Sequence, residues 1–245
     1  MSIIEKTNPL NLQYKVCVVT NASTPLGVVV CKTLLKANAL VLGIDKNARD
    51  HSLNAGLGTH FQFEERDLSD PEAPLAIIEA SREKFESLGG KFDALVNLVG
   101  EDQSDLDGIK ALTKAIGTVM REAGQGSIIT VPGTVKGNEE VRSKALLEFT
   151  KDLTQQYEST SIRTNVIVPD PTTPANQQSA KAYEQAKEHM TALMKTEHPA
   201  KDVPPSKQTP PKLYQVGNLT LFLAGGMGEQ ISGKIVSLDG SYQGL

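Results

Sequence analysis

Glu140 and Lys144 stand four residues apart in "EEVRSKALLEFTKDL", a spacing that puts a carboxylate and an ammonium on one face of a helix. Two readings of the pair are open. It is an ion pair on a solvated surface, or it is a carboxylate held beside a lysine for general acid–base work. The lysine would lower the carboxylate's pKa, which makes Glu140 a better anion than proton donor at neutral pH. A second carboxylate, Asp170, lies between Pro169 and Pro171, just past the apolar run "IRTNVIV". Asp-Pro there is either a turn without chemistry or a carboxylate displayed beyond a strand end, where α/β proteins carry their sites.

A third stretch, "VVTNASTPLG" at 18–27, reads as a buried strand, a tight turn and the start of a helix. A helix N-terminus offers unpaired N–H groups and partial positive charge, which suits a pyrophosphate. Asn21 tolerates a left-handed backbone better than most residues. Pro25 supplies no N–H but fits the first turn of a helix, with Ser23 or Thr24 as its cap. Gly27 lets helix and strand approach closely. Asp45 closes the next apolar run, "LVLGID". It is either an acceptor for ribose hydroxyls that repels a 2′-phosphate, favouring NAD over NADP, or a turn residue at a strand end.

The elements that must position these residues alternate along the chain. "KVCVVT", "LVLGID", "FDALVNLVG", "GSIITV", "IRTNVIVP" and "GKIVSLDG" predict strands. Between them "PLGVVVCKTLLKAN", "DPEAPLAIIEASREKFESLG" (with Asp70 as N-cap), "LDGIKALTKAIGTVMREAG", "EEVRSKALLEFTKDLTQQYE" and "VGNLTLFLAGG" predict helices. This order predicts an α/β fold, a doubly wound parallel sheet flanked by helices on both faces, over a single domain of residues 1–245. Residues 171–212 break the composition with Pro, Lys and Gln around one short helix, "SAKAYEQAKEHMTALMK", and read as a substrate lid or a surface excursion.

Bulk properties narrow the partners. A net charge of −4 with interspersed signs gives no basic face for nucleic acid or anionic membrane. No apolar run reaches the length of a membrane span, and "MSIIEKTNPLNLQYK" lacks the pattern of a signal peptide, so a cytoplasmic protein is expected. Cys17 and Cys31 sit in apolar company and read as buried free thiols. The four histidines show no metal-ligand spacing, and no metal is expected.

Taken together, the motifs resemble the short-chain dehydrogenase/reductase family, over almost the whole length of the chain. Thr20 to Gly27 stand where that family has its Thr-Gly-x-x-x-Gly-x-Gly loop. "VNLVG" resembles its Asn-Asn-Ala-Gly turn, "SKALLEFTKDL" the helix of its catalytic lysine, "IRTNVIVPDPTTP" its strand and turn beside the nicotinamide, and "GEQISGKIVSLDGSY" its closing strand. The resemblance implies a Rossmann-type fold and a nicotinamide dinucleotide, NAD(H) or NADP(H). Thr20, Asn21, Ser23, Thr24, Leu26, Gly27, Asp45, Asp67, Leu68, Asn97, Gly100, Lys144, Pro169 and Thr172 would hold it. It also implies a small-molecule substrate and assembly as a homodimer or homotetramer, through 106–123, 140–157 and the C-terminal strand.

The same resemblance exposes departures in the catalytic set of Asn, Ser, Tyr and Lys. Lys144 matches the lysine, but Glu140 stands in the tyrosine's place and Gly133, followed by Thr134, in the serine's. The asparagine position falls on Asp105, reached directly from Gly100 without the loop and first helical turns usual in the family. Tetrad loss combined with an Asp in the Pro-x-Pro turn resembles a non-standard branch from fungal alkaloid biosynthesis. Members of that branch reduce an intermediate and shape an intramolecular Diels–Alder cyclisation. The expected protein is therefore an atypical reductase, cyclase or isomerase in which Asp170, Glu140 and Thr134 replace the usual groups, or a non-catalytic relative serving as partner subunit or cofactor sensor.

Overall fold

In a computed structural model of the chain, the described residues are 8–47, 60–85, 90–100, 103–132, 139–169 and 213–238, with the backbone alone at 103–105, 139–147 and 237. Strands β1 (Val16–Thr20), β2 (Leu40–Asp45), β3 (Phe61–Glu65), β4 (Ala94–Val99), β5 (Gly126–Pro132), β6 (Ile162–Pro169) and β7 (Lys234–Leu238) form one sheet in the order β3-β2-β1-β4-β5-β6-β7. Every neighbouring pair is parallel. Helices α1 (Pro25–Lys36), α2 (Ala73–Lys84), α3 (Gln103–Ala123), α4 (Glu139–Tyr157) and α5 (Leu213–Ala224) make the crossovers. The chain leaves β1 toward β2 and later returns to β4 on β1's other side. The sheet therefore has a topological switch point between β1 and β4.

Alternation along each strand divides the core into two layers. Cys17 and Val19 of β1 join Val28, Cys31 and Leu34 of α1 and Val216 and Leu223 of α5 on one face. Val16 and Val18 face Ile77 of α2, Ile109, Leu112 and Ile116 of α3 and Leu153 and Tyr157 of α4 on the other. With both faces covered, all five residues of β1 are buried, which is why its sequence reads as an unbroken apolar run. Each fully buried Val or Leu side chain contributes about 1.5–3 kcal/mol of transfer free energy.

Two elements differ from expectation. β3, "FQFEE", is absent from the strands the sequence predicts, because only Phe61 of it is fully buried and its outer half is acidic. It is an edge strand, only partly buried beyond Phe61, with Glu64 paired to Lys84 of α2. The second helix begins at Ala73 rather than behind Asp70. Asp70 instead closes a turn: its Oδ1 accepts from Glu72 N at 2.9 Å and its carbonyl from Ala73 N at 3.0 Å.

Cys17 and Cys31 are free and buried. Burial foremost pushes both thiols far above the ordinary thiol range, with Asp93 adding to the effect at Cys17. Neither should react with a disulfide reagent at pH 8 in the native protein, and both should react in denaturant. Titration of a thiol in the folded state at the rate seen in denaturant would contradict this burial.

Candidate functional site

Five strands deliver their carboxyl ends to one edge of the sheet at Thr20, Asp45, Val99, Pro132 and Pro169. Thr20 ties the two strands that flank the switch point: its Oγ1 accepts from Leu98 N at 2.9 Å and donates to Leu98 O at 3.2 Å. Asn21 follows with φ of 50° and donates from Nδ2 to the same Leu98 carbonyl at 2.6 Å. The left-handed turn that a glycine would make is thus made by an asparagine, whose side chain is anchored to β4.

The cap of α1 is Thr24. Its Oγ1 accepts from Gly27 N at 3.1 Å and donates to Asn21 O at 2.7 Å. A Cβ on Gly27 would lie 2.7 Å from the Cα and C atoms of Ala22 and closer still to Asn21 O. The absence of a side chain at 27 is what lets α1 start directly above the loop.

Most of the loop's backbone donors are used within the chain. Ala22 N donates to Ile44 O, Ser23 N to Asp45 Oδ2, Thr24 N to Asn21 O and Gly27 N to Thr24 Oγ1, and Pro25 has no N–H. Leu26 N, in the first turn of α1, has no acceptor among the described residues. Leu26 N, aligned with the helix dipole, is therefore a candidate donor to a phosphate oxygen.

Asp45 is only 3% exposed. Its Oδ2 takes Ser23 N at 2.9 Å, and its Oδ1 takes Asn47 N at 2.9 Å and Asn47 Nδ2 at 3.1 Å. Asp67, by contrast, is exposed. Hydrogen bonds from the Ser69 backbone and side chain, with Lys46 nearby, hold its carboxyl below the usual carboxylate range. Next to it, the Leu68 carbonyl packs on Gly108 of α3, where a Cβ would collide with it. Asn97 is fully buried; its Nδ2 donates to Thr113 Oγ1 of α3 at 2.9 Å, and its Oδ1 has no partner. Gly100 lies one residue beyond β4, half-buried.

The structure thus gathers Thr20, Asn21, Ser23, Thr24, Leu26, Gly27, Asp45, Asn97 and Gly100 around the ends of β1, β2 and β4, with Asp67 and Leu68 just past β3. Pro169 ends β6. Asp105 falls in the first turn of α3, and Glu140 and Lys144 fall in the first two turns of α4, on helices that leave the same edge of the sheet. Their side chains lie outside the described residues, as do Gly133, Thr134, Asp170, Thr172 and the whole of 171–212. Sequence reasoning missed the Leu98 carbonyl and Asn47. The first is a backbone atom with no sequence signal. The second has the Asp-x-Asn spacing of an Asx turn.

The residues present fit a nicotinamide dinucleotide: a capped helix N-terminus with an open donor, next to the switch point of a doubly wound sheet. The groove of about 880 Å³ lined by Lys15, Asp93, Gln125, Tyr157, Arg163 and Glu229 is elsewhere. Lys15, Asp93 and Gln125 immediately precede β1, β4 and β5, so this groove opens at the amino ends of the strands. Among the described residues no cluster of His, Cys, Asp and Glu could hold a metal ion, and no helix is long and apolar enough to cross a membrane.

Comparison with known proteins identifies the family. The family model for short chain dehydrogenase matches residues 15–185. The short chain dehydrogenase prhI of Penicillium brasilianum is 23% identical, over 95% of this chain and 98% of its own. The short-chain dehydrogenase/reductase cdmF of Talaromyces verruculosus is 24% identical, over 94% and 98%. The 3-oxoacyl-[acyl-carrier-protein] reductase of Escherichia coli is 25% identical over 65% of this chain and 74% of its own. Among solved structures, a hydroxysteroid dehydrogenase from Escherichia coli superposes with a TM-score of 0.71 at 20% identity, covering 96% of this chain and 99% of that one. Members of the matched family are generally oxidoreductases that bind NAD(H) or NADP(H) and act, typically as oligomers, on small molecules. With the loop, the switch point and the family model coinciding on the same strands, the chain belongs to the short-chain dehydrogenase/reductase family.

Proposed function

We propose that this protein binds a nicotinamide dinucleotide across the carboxyl ends of β1, β2 and β4 and acts on a small organic molecule of secondary metabolism beside β5 and β6. The proposed reaction is a non-standard reduction or a cyclisation or isomerisation. The observation that carries the reading is the loop itself. Asn21 at positive φ, the Thr24 cap and bare Gly27 rebuild the turn and helix start that a phosphate needs. The similarity to dehydrogenases of filamentous fungi supports the substrate class.

When bound, the dinucleotide supplies or accepts a hydride at its nicotinamide. Lys144 would hold its ribose, with Pro169 and Thr172 beside the nicotinamide. Asp170 is the first choice as proton donor or as anchor for a cationic intermediate, Glu140 the second, with Thr134 in place of the serine and Asp105 in place of the asparagine. Residues 171–212 would cover the substrate and exclude water, and orientation within such a pocket can itself supply much of a cyclisation rate. Assembly as a homodimer or homotetramer is part of the proposal; it is supported by the exposed Ile235 on the outer strand β7, which is 56% exposed.

One observation favours a second reading. By the family resemblance Glu140 and Gly133 stand where a tyrosine and a serine are expected, which would suit a non-catalytic partner subunit or cofactor sensor. Turnover of NADH and NADPH over a panel of fungal carbonyl and iminium intermediates, with Asp170→Asn and Lys144→Met beside the parent protein, separates the two. Catalysis predicts about a hundredfold loss in kcat for Asp170→Asn with dinucleotide affinity unchanged. Equal turnover in Asp170→Asn would remove Asp170 from the chemistry, and dinucleotide binding without turnover of any substrate or product cyclisation would support the non-catalytic reading.

A further inference from the structure

We infer that Asp45 is a latch that holds the phosphate loop to the sheet, a positioning residue and not a selector between NAD and NADP; the cofactor part of this inference rests on the dinucleotide reading above. A carboxylate at the end of the second strand of such a sheet is ordinarily free to accept the hydroxyls of the adenosine ribose. Here both oxygens are engaged within the chain. Ser23 N reaches Oδ2 from the turn between β1 and α1, and Asn47 reaches Oδ1 with both its backbone and side-chain nitrogens, at 2.9, 2.9 and 3.1 Å. With Asp45 only 3% exposed, little of it is left to meet a ligand.

The loop's composition explains why a latch is needed. Asn21 and Pro25 stand where the family resemblance implies glycines, and Asn21 at φ 50° is held in a conformation that costs a non-glycine residue free energy. Something must hold the segment against relaxation. Two ties do so from opposite sides: Asn21 Nδ2 to Leu98 O on β4, and Ser23 N to Asp45 on β2. Ala22 N to Ile44 O adds a backbone tie on the β2 side. The loop is thereby strung between the two strands that neighbour β1, and Leu26 N is left pointing from a fixed helix start. Hydrogen bonds to a charged acceptor are about twice as strong as neutral ones, which suits the role.

The same charge accounting argues against nucleotide selection by this residue. Lys46 follows Asp45 directly, and Arg66 donates its backbone N–H to Asp45 O at 2.8 Å while its own Nε is buried without a partner. Arg66, directly beyond β3, is thus bonded to the end of β2 through its backbone, and its buried, unpartnered Nε is a candidate donor to a phosphate that Asp45 does not repel.

Amide hydrogen exchange on the ligand-free protein tests the latch without any cofactor. In Asp45→Ala the Ser23 and Asn47 amides should exchange at least about tenfold faster than in the parent protein, while amides of β5 and β6 keep their protection. In Asp45→Asn, which keeps one acceptor oxygen, the effect should be smaller. Unchanged exchange at Ser23 would overturn the latch. Titration of the same variants with NADH and NADPH tests the second half. Both affinities should fall together by about tenfold, with their ratio moving less than about threefold. A variant that loses NADH and gains NADPH would make Asp45 a ribose selector and overturn the inference. If the parent protein binds neither nucleotide the dinucleotide reading and the cofactor half fail together, while the exchange result still decides whether Asp45 is a latch.

Discussion

Gly27→Ala lowers stability by about 2–3 kcal/mol and abolishes dinucleotide binding. Alanine is the better helix former by about 1 kcal/mol, so propensity alone predicts the opposite sign. The added methyl would lie 2.7 Å from two backbone atoms of Ala22 and nearer still to the Asn21 carbonyl. None of these atoms is the free end of a side chain. Asn21 is tied to Leu98 through its side chain, and Ala22 is tied to Ile44 through its N–H. Either the loop is pushed off the strands it is bonded to, or α1 lifts from β1 and opens the layer around Val28 and Cys31. Overpacking of this kind costs typically 1–3 kcal/mol, and the lost loop bonds add to it. Urea unfolding reads the effect as a lower midpoint at unchanged slope. A variant as stable as the parent would show that the loop and helix do not approach as closely as described.

Asp93→Ala has a similar cost at the opposite end of the same strand, with the opposite consequence for the site. Asp93 precedes β4, and its side chain is 5% exposed. Its Oδ2 accepts from Val16 N at 2.9 Å, and its Oδ1 accepts from Lys15 Nζ at 3.0 Å and Gln125 Nε2 at 3.1 Å. One carboxylate thus gathers the starts of β1, β4 and β5. Alanine leaves the buried Val16 N–H without its acceptor and strips Lys15 of its ion-pair partner. A loss of about 3 kcal/mol is expected, with Asp93→Asn intermediate because it keeps an acceptor for Val16 N. Dinucleotide affinity should stay within about twofold of the parent, since β1 separates this cluster from the phosphate loop. A large affinity loss in Asp93→Ala at temperatures where it is folded would mean that the two ends of β1 are coupled.

The contrast between these two sites shows what the sequence could and could not convey. Val16 to Thr20, Leu40 to Asp45 and Ala94 to Val99 were legible as strands because burial on both faces leaves a continuous apolar run. The tolerance of Asn21 for positive φ and a cap at Ser23 or Thr24 were legible from residue chemistry, since few residue types do either well; which of the two caps the helix was not. β3 was not, because an edge strand carrying Glu64 and Glu65 lacks that signal. The full use of Asp45 was not legible either. Two of its three donors are backbone N–H groups, at Ser23 and Asn47, which no side-chain pattern advertises. In the catalytic half, Gly133, Thr134, the side chains of Glu140 and Lys144, Asp170, Thr172 and the rest of the 171–212 segment lie outside the described residues. The roles assigned there rest on spacing and resemblance.

The most direct test of the account is a calorimetric and fluorescence titration of the purified protein with NADH and with NADPH. The account predicts saturable binding of at least one of them with a dissociation constant in the micromolar range, about −8 kcal/mol, and its loss in Gly27→Ala. Failure of both nucleotides to bind at millimolar concentration would contradict it, and would make "TNASTPLG" a loop that keeps the shape of a phosphate site without its function.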